Sequence, residues 1–230
     1  MVIGNGLMAK TFEAYKTNPN VVVFASGVSN STTTDPQEFK REQELLEETL
    51  RKYPTQLLVY FSTCSITDKS VNANPYVLHK LAMETFLETN AQQYLICRVS
   101  NVVGPTGNPN TIVPFLVDAI QKNTQIQLWK YAERNLIDCE DVAIIVSQLL
   151  EQGTTNTIVN IANPEHITIP ALVALIESHL DTKGTYEWIE KGNPLHIDTA
   201  AINEMWEKTV LQKGAGISYI KQLLNKYYRS

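Results

Sequence analysis

Cysteine is scarce in this chain and nowhere clustered. Cys64, Cys97 and Cys139 are its only three cysteines in 230 residues, each within or beside an apolar segment. The number is odd and no C-x-x-C occurs, which argues against a disulfide framework and against a zinc site. A reducing, cytoplasmic setting fits this usage. Long apolar runs are missing too, and none approaches the length of a bilayer span. Met1-Val2-Ile3 leads straight into a glycine turn, so no signal peptide is expected. Positive charge is never concentrated: the net charge is −5 and no basic stripe is present, which disfavours a nucleic-acid partner. What is abundant is core material. At 43% hydrophobic and 19% charged, the chain can build one large domain, or one domain with a small appendage.

Strand and helix patterns alternate through the first two thirds. Short runs rich in β-branched and aromatic residues predict strands at Met1 to Ile3, Val21 to Ala25, Gln56 to Phe61 and Gln93 to Arg98. Helices are expected between them, at Leu7 to Tyr15, Pro36 to Tyr53 and Pro75 to Asn90. The second of these carries Phe39, Leu45, Leu46 and Leu50 close to a helical stripe. Such alternation predicts an α/β fold, a parallel sheet covered by helices. Later segments are less regular. Helices are expected at Ile112 to Lys122, Glu140 to Gln152 (with Gly153 closing it), Ile169 to Leu180 (capped by Thr168) and Ile217 to Tyr228. Strands are expected at Ile126 to Trp129, Thr157 to Ala162 and Tyr186 to Ile189. The division expected is a shortened core over 1–105 and a mixed part over 106–230, with 124–162 returning to the core sheet. Trp129, Trp188 and Trp206 are read as packing residues.

Two patterns carry chemistry. Gly4-Asn5-Gly6-Leu7-Met8-Ala9 follows a strand and opens a helix, a G-x-G-x-x-A form of the dinucleotide fingerprint. Its glycines allow a tight turn and close approach of backbone to a pyrophosphate. The second is Asn74-Pro75-Tyr76-Val77-Leu78-His79-Lys80. With 10 tyrosines in the chain, chance alone gives a Y-x-x-x-K pair about 0.6 times, so the spacing means little by itself. Context adds weight. Pro75 suits the first position of a helix and Asn74 suits its cap. Tyr76 and Lys80 then share one helix face. An ammonium beside the phenol is expected to lower the Tyr76 pKa toward working pH and make it a general acid or base. Just upstream, the buried run Leu57-Leu58-Val59-Tyr60-Phe61 ends in Ser62-Thr63-Cys64-Ser65, which sets a hydroxyl at a strand end. Ligands of such sheets bind beyond the carboxyl ends of the strands.

Taken in order, these segments resemble the extended short-chain dehydrogenase/reductase superfamily, in its nucleotide-sugar epimerase, dehydratase and reductase branch. Phe24-Ala25-Ser26-Gly27-Val28 looks like the strand end that lines the nicotinamide ribose there. Phe61-Ser62-Thr63-Cys64-Ser65-Ile66 looks like the Ser/Thr strand, and Tyr76 with Lys80 matches the Y-x-x-x-K pair. Arg98-Val99-Ser100-Asn101-Val102-Val103-Gly104-Pro105 is similar to the R-x-S-N-x-x-G-P segment. Arg134 to Ala143 looks like the segment in which an Arg clamps the diphosphate. The resemblance implies a doubly wound, Rossmann-like sheet and a catalytic set of Tyr76, Lys80 and Thr63. It implies a cofactor site at Gly4, Gly6, Leu7, Ala25, Ser26 and Lys80, and substrate contacts from Ser62, Asn101 and Arg134. It further implies NAD or NADP as cofactor, a nucleotide-sugar substrate and a homodimer. Asn101 as a plain loop cap and Arg134 as a solvated charge remain open readings. Asp138 and Asp141 are read as charging the following helix, and His79 as structural or exposed.

The chain also departs from that pattern. The strand about 20 residues past the glycines should end in a residue that reads the adenosine ribose. Val21 to Ala25 stands at that distance, yet it looks like a later strand of the family, so one or two strands are expected to be missing. No Asp or Glu follows it until Asp35, which leaves NAD and NADP undistinguished. The interval from Thr63 to Tyr76 is short, implying a small lid. Cys64 and Ser65 stand where dehydratases carry Asp and Glu, which disfavours dehydration. Epimerisation and keto reduction remain, with a non-catalytic sugar-nucleotide-binding or scaffold protein, its cofactor site degenerate, as the alternative.

Overall fold

The computed structural model describes residues 1–68, 74–105 and 109–228. In chain order its elements are β1 (Val2–Ile3), α1 (Leu7–Thr11), β2 (Val21–Phe24), α2 (Pro36–Lys52), β3 (Leu57–Thr63), α3 (Pro75–Asn90), β4 (Tyr94–Val99), β5 (Asn101–Val103), α4 (Ile112–Gln121), β6 (Ile126–Trp129), β7 (Glu133–Arg134), β8 (Leu136–Asp138), α5 (Cys139–Glu151), β9 (Thr157–Ile161), β10 (Ile167–Thr168), α6 (Ile169–Leu180), β11 (Tyr186–Ile189), α7 (Asn203–Thr209) and α8 (Gly216–Tyr227). They form two compact units, Met1–Val99 with Cys139–Ile161, and Ser100–Asp138 with Ala162–Ser230.

The first unit is a five-stranded parallel sheet in the order β1-β2-β3-β4-β9. Its helices begin where local chemistry says they should. Asp35 accepts a hydrogen bond from the Gln37 amide (2.9 Å) and Asn74 one from the Tyr76 amide (2.8 Å), with Pro36 and Pro75 in the first turns. Each cap satisfies an amide that the helix leaves without an internal partner. α1 is shorter than the expected Leu7 to Tyr15. It stops at Thr11, and Glu13–Thr17 tightens into a 3-10 turn. The break delivers Phe12 into the core, where its ring lies 5.2 Å from that of Phe61.

That contact fixes which face of the sheet each helix covers. Side chains alternate along a strand. Tyr60 points to the side holding Phe24, Leu46 of α2 and Leu87 of α3; Phe61, its neighbour, points to Phe12 on the other. α1 also packs against α5, and Tyr15 donates a hydrogen bond to Ser147 (3.0 Å). Successive strands β1 to β4 step in one direction, yet α1 lies on one face and α2 and α3 on the other. The β1-α1-β2 connection therefore has the opposite hand to the next two. Parallel crossovers are right-handed in about 98% of cases, so the exception is the short connection through α1. β1 is the edge of the sheet, and the strands expected to be missing are absent among the described residues.

The second unit contains three two-stranded pairings: β5 with β8 and β6 with β11 are parallel, β7 with β10 antiparallel. Leu116, Ile120, Leu172, Ile176, Ile202, Trp206 and Tyr219 are buried. Trp206 packs as expected. Trp129 and Trp188 do not: they are 46% and 40% exposed, because β6 and β11 form a ribbon too narrow to cover both faces. Asp138 sends its carboxylate to Lys226 (2.8 Å) and the Tyr227 hydroxyl (2.7 Å) on α8, rather than only charging α5.

Candidate active site

β3 carries Thr63 at its carboxyl end and α3 carries Tyr76 and Lys80 one turn apart, as the spacing predicts. The Thr63 side chain lies close enough to the Tyr76 phenol to pull its pKa down. Lys80 is 2% exposed, and its Nζ lies 5.9 Å from the centre of the Tyr76 ring. The three expected catalytic groups are thus brought together in the first unit. The expected small lid between Thr63 and Tyr76 includes residues 69–73, which lie outside the described residues.

One expectation is corrected. Burial raises the Tyr76 phenol above its ordinary range; Lys80 and Thr63 pull it down, and Glu42 pushes it up again. The phenol is not acidified, because burial outweighs the pull of the ammonium beside it, and that ammonium is itself shared with a carboxylate. Lys80 Nζ donates to Glu42 Oε1 (2.9 Å), to the Tyr60 hydroxyl (3.2 Å) and to the Phe61 carbonyl (3.3 Å). An ammonium has three protons, and all three are engaged.

Glu42 is the central residue that sequence reasoning did not single out. It is fully buried, and it accepts from the Val28 amide (2.6 Å), the Tyr60 hydroxyl (2.5 Å) and Lys80. His79 Nε2 stands 3.1 Å from Oε2, at ion-pair distance but outside hydrogen-bond geometry. The His79 ring stacks on Phe39 at 4.7 Å and is structural, as read. Burial alone would raise the Glu42 carboxyl, but Lys80, His79, Tyr60 and the Val28 amide outweigh it and hold it well below the usual range. The signal was present: Phe39, Glu42, Leu46 and Thr49 lie at helical spacing on one face of α2, so the stripe carries an acid in its middle. Gly27 belongs to the same assembly. A Cβ there would lie 2.6 Å from Lys80 Nζ and 3.1 Å from Glu42 Oε1.

The glycine turn sits at the same end of the sheet. Gly4 has φ +124°, and a Cβ on it would meet the Ala25 carbonyl at 2.4 Å. The turn is therefore pressed onto the end of β2, with Ala25 and Ser26 beside it. A Cβ on Gly6 would meet nothing within 4 Å, so the space beside it is open. Arg41, also overlooked in the sequence, donates to the Ser26 carbonyl (3.1 Å) and hydroxyl (3.3 Å). Ser62 is 3% exposed and its hydroxyl has no protein partner.

Asn101 and Arg134 belong to the second unit. Asn101 donates through its side chain to the Asn135 carbonyl (2.9 Å), and Arg134 to the Glu133 carbonyl (2.7 Å). Asn135, fully buried, ties this segment together by bonding both the amide (3.0 Å) and the carbonyl (2.6 Å) of Asn163.

A parallel sheet with a glycine turn at its first strand and a Tyr-Thr-Lys cluster at the end of its third is the α/β architecture of the short-chain dehydrogenase type. The comparisons agree. Residues 7–162 match the model of the NAD dependent epimerase/dehydratase family, and the chain belongs to that family. It is 26% identical over 142 residues to dTDP-D-glucose 4,6-dehydratase of Bos taurus, covering 57% of this chain and 39% of that protein. The human dTDP-D-glucose 4,6-dehydratase is 27% identical over 130 residues, 52% of this chain and 37% of its own. The chain thus matches about two fifths of the length of these curated relatives. Among solved structures it is similar to RMD from Pseudomonas aeruginosa complexed with NADPH, with TM-score 0.72 and 15% identity over 97% of this chain and 96% of that one. It is also similar to the UDP-glucose 4-epimerase of Thermus thermophilus in complex with NAD, with TM-score 0.69 and 16% identity over 95% and 81%. These likenesses establish the fold.

Proposed function

We propose that the protein acts on a nucleotide-activated sugar as an NAD(P)-dependent epimerase or keto-reductase. The observation that carries this reading is the clustering of the Tyr76 phenol with the Thr63 side chain and the Lys80 ammonium at the end of β3. Open space over Gly6 and the strand end at Ala25 and Ser26 support a nicotinamide nucleotide at the turn, and the unpartnered buried hydroxyl of Ser62 supports its expected substrate contact. When bound, such a group supplies the hydride, which no side chain can. Tyr76 then exchanges the proton of the sugar hydroxyl or ketone. Because burial keeps the phenol protonated, its resting role is that of an acid, giving a proton to a carbonyl oxygen. Thr63 shares the same oxygen and positions it. Lys80, held by Glu42, steadies charge near the phenol. Dehydration is disfavoured at Cys64, whose thiol donates to the Arg98 carbonyl (2.9 Å) and is pushed by burial up to about 12, out of range for a base.

The test is turnover of a panel of UDP-, GDP- and dTDP-sugars by the full chain and by Tyr76→Phe. We expect a loss of at least about 100-fold for the variant, with its melting temperature retained. Full turnover by Tyr76→Phe on every accepted substrate would refute the mechanism. The full engagement of the Lys80 protons favours a second reading, a sugar-nucleotide-binding protein without hydride transfer. Nucleotide-sugar binding with no binding of reduced nicotinamide at millimolar concentration would select it.

A further inference from the structure

The sheet of the first unit grows from β1 in one direction only. In a doubly wound nucleotide-binding sheet the first strand lies inside the sheet, with the second and third strands on its far side. The dinucleotide then spans the point where the order reverses, half on each side. Here β1 pairs with β2 alone among the described residues, and the chain goes from the glycine turn to β2 through Leu7 to Asn20, which contain no strand. The opposite hand of the β1-α1-β2 connection goes with this one-sided order: α1 leads to a strand on the other side of β1 from the one that such a helix reaches in that sheet.

The chemistry at the end of β2 agrees. That strand end stands at the sequence distance, about 20 residues past the glycines, at which an acid reads the ribose 2′-hydroxyl or an arginine takes a 2′-phosphate, but on the other side of β1. Ala25 is spent on the Gly4 turn, Ser26 on Arg41 and Val28 on Glu42. The next acid, Asp35, is the cap of α2. α1 is five residues long and adds little of a helix dipole to hold phosphate.

From this we infer that the site, on the function proposed above, recognises the nicotinamide mononucleotide moiety and leaves the adenosine of a dinucleotide without protein contact. The ligand class is a nicotinamide ribotide, whether or not adenylate is attached to it. The 2′-phosphate that separates NADPH from NADH is then unread.

The experiment is fluorescence titration of the full chain with reduced nicotinamide mononucleotide, NADH and NADPH at constant ionic strength. The three dissociation constants are expected to agree within about tenfold, where a reader of the adenosine half would separate them by more. Gly6→Val is the control for the site, since its Cβ meets no protein atom; it should retain its fold and weaken all three ligands together. NADH binding more than about tenfold tighter than the mononucleotide overturns the inference but leaves the proposed function standing. So does an NADPH preference of that size; its loss in Arg41→Ala would assign the reading to Arg41. Undiminished binding to Gly6→Val places the ligand elsewhere and also overturns the inference. If none of the three binds, the inference and the hydride-transfer reading fall together.

Discussion

Glu42 and Lys80 form a buried ion pair, and the structure says what removing each should do. Lys80→Met leaves the Glu42 carboxylate with only the Tyr60 hydroxyl, the Val28 amide and the nearby His79, in a place water does not reach. Glu42→Leu leaves the Lys80 ammonium with the Tyr60 hydroxyl and the Phe61 carbonyl. Breaking one side of a buried pair costs about 3–5 kcal/mol, because the remaining charge is uncompensated. Replacing both partners by apolar residues of similar volume leaves no orphan charge, and such replacements are often close to neutral. The double variant should therefore lose far less than the sum of the singles, with a coupling of at least about 3 kcal/mol, the upper end of what neighbouring residues show. Urea denaturation followed by far-ultraviolet circular dichroism at pH 7 measures all four corners of the cycle. Additivity within about 0.5 kcal/mol would refute the reasoning, since it would mean that each charge is solvated independently.

The same carboxylate sets an acid limb. Its folded-state pKa lies below the unfolded value of about 4.3, so its contribution is complete above that value and is lost as pH falls toward the folded one. Wild-type stability should drop below about pH 5 more steeply than that of Glu42→Gln; parallel profiles from pH 7 to pH 3 would count against this. Gly27→Ala should cost about 1–3 kcal/mol by overpacking, because its methyl group collides with an ammonium that cannot retreat. An unchanged melting temperature for Gly27→Ala would show that Lys80 is not pinned.

Much of the first unit was legible because its strands are continuous apolar runs and its helices carry side-chain caps. Asp35-Pro36 and Asn74-Pro75 placed the starts of α2 and α3 to the residue. The pairs β5–β8 and β7–β10 were missed because strands of two or three residues have no periodicity to read. The candidate set of Tyr76, Thr63 and Lys80 came from the resemblance and its order of motifs, since the Y-x-x-x-K spacing alone means little. The state of the phenol did not, because it depends on Glu42, which spacing alone presents as one more acid on a charged helix. Its position between Phe39 and Leu46 was the available clue. A tyrosine at position 60, inside an otherwise apolar strand, was another: a buried hydroxyl needs a partner, and the partner was four residues before Leu46.

The reversed hand of the β1-α1-β2 connection bears on how the chain assembles. β2 to β4 with α2 and α3 repeat one local motif, and sequence-near contacts form early. Phe12 and the turn after α1 rest instead on Phe61 and on α5, where Tyr15 meets Ser147 across 132 positions of chain, so they join a nucleus already built. Phe12→Leu should accordingly accelerate unfolding while leaving the refolding rate almost unchanged; slowed refolding in stopped-flow mixing would place the N-terminal segment inside the nucleus.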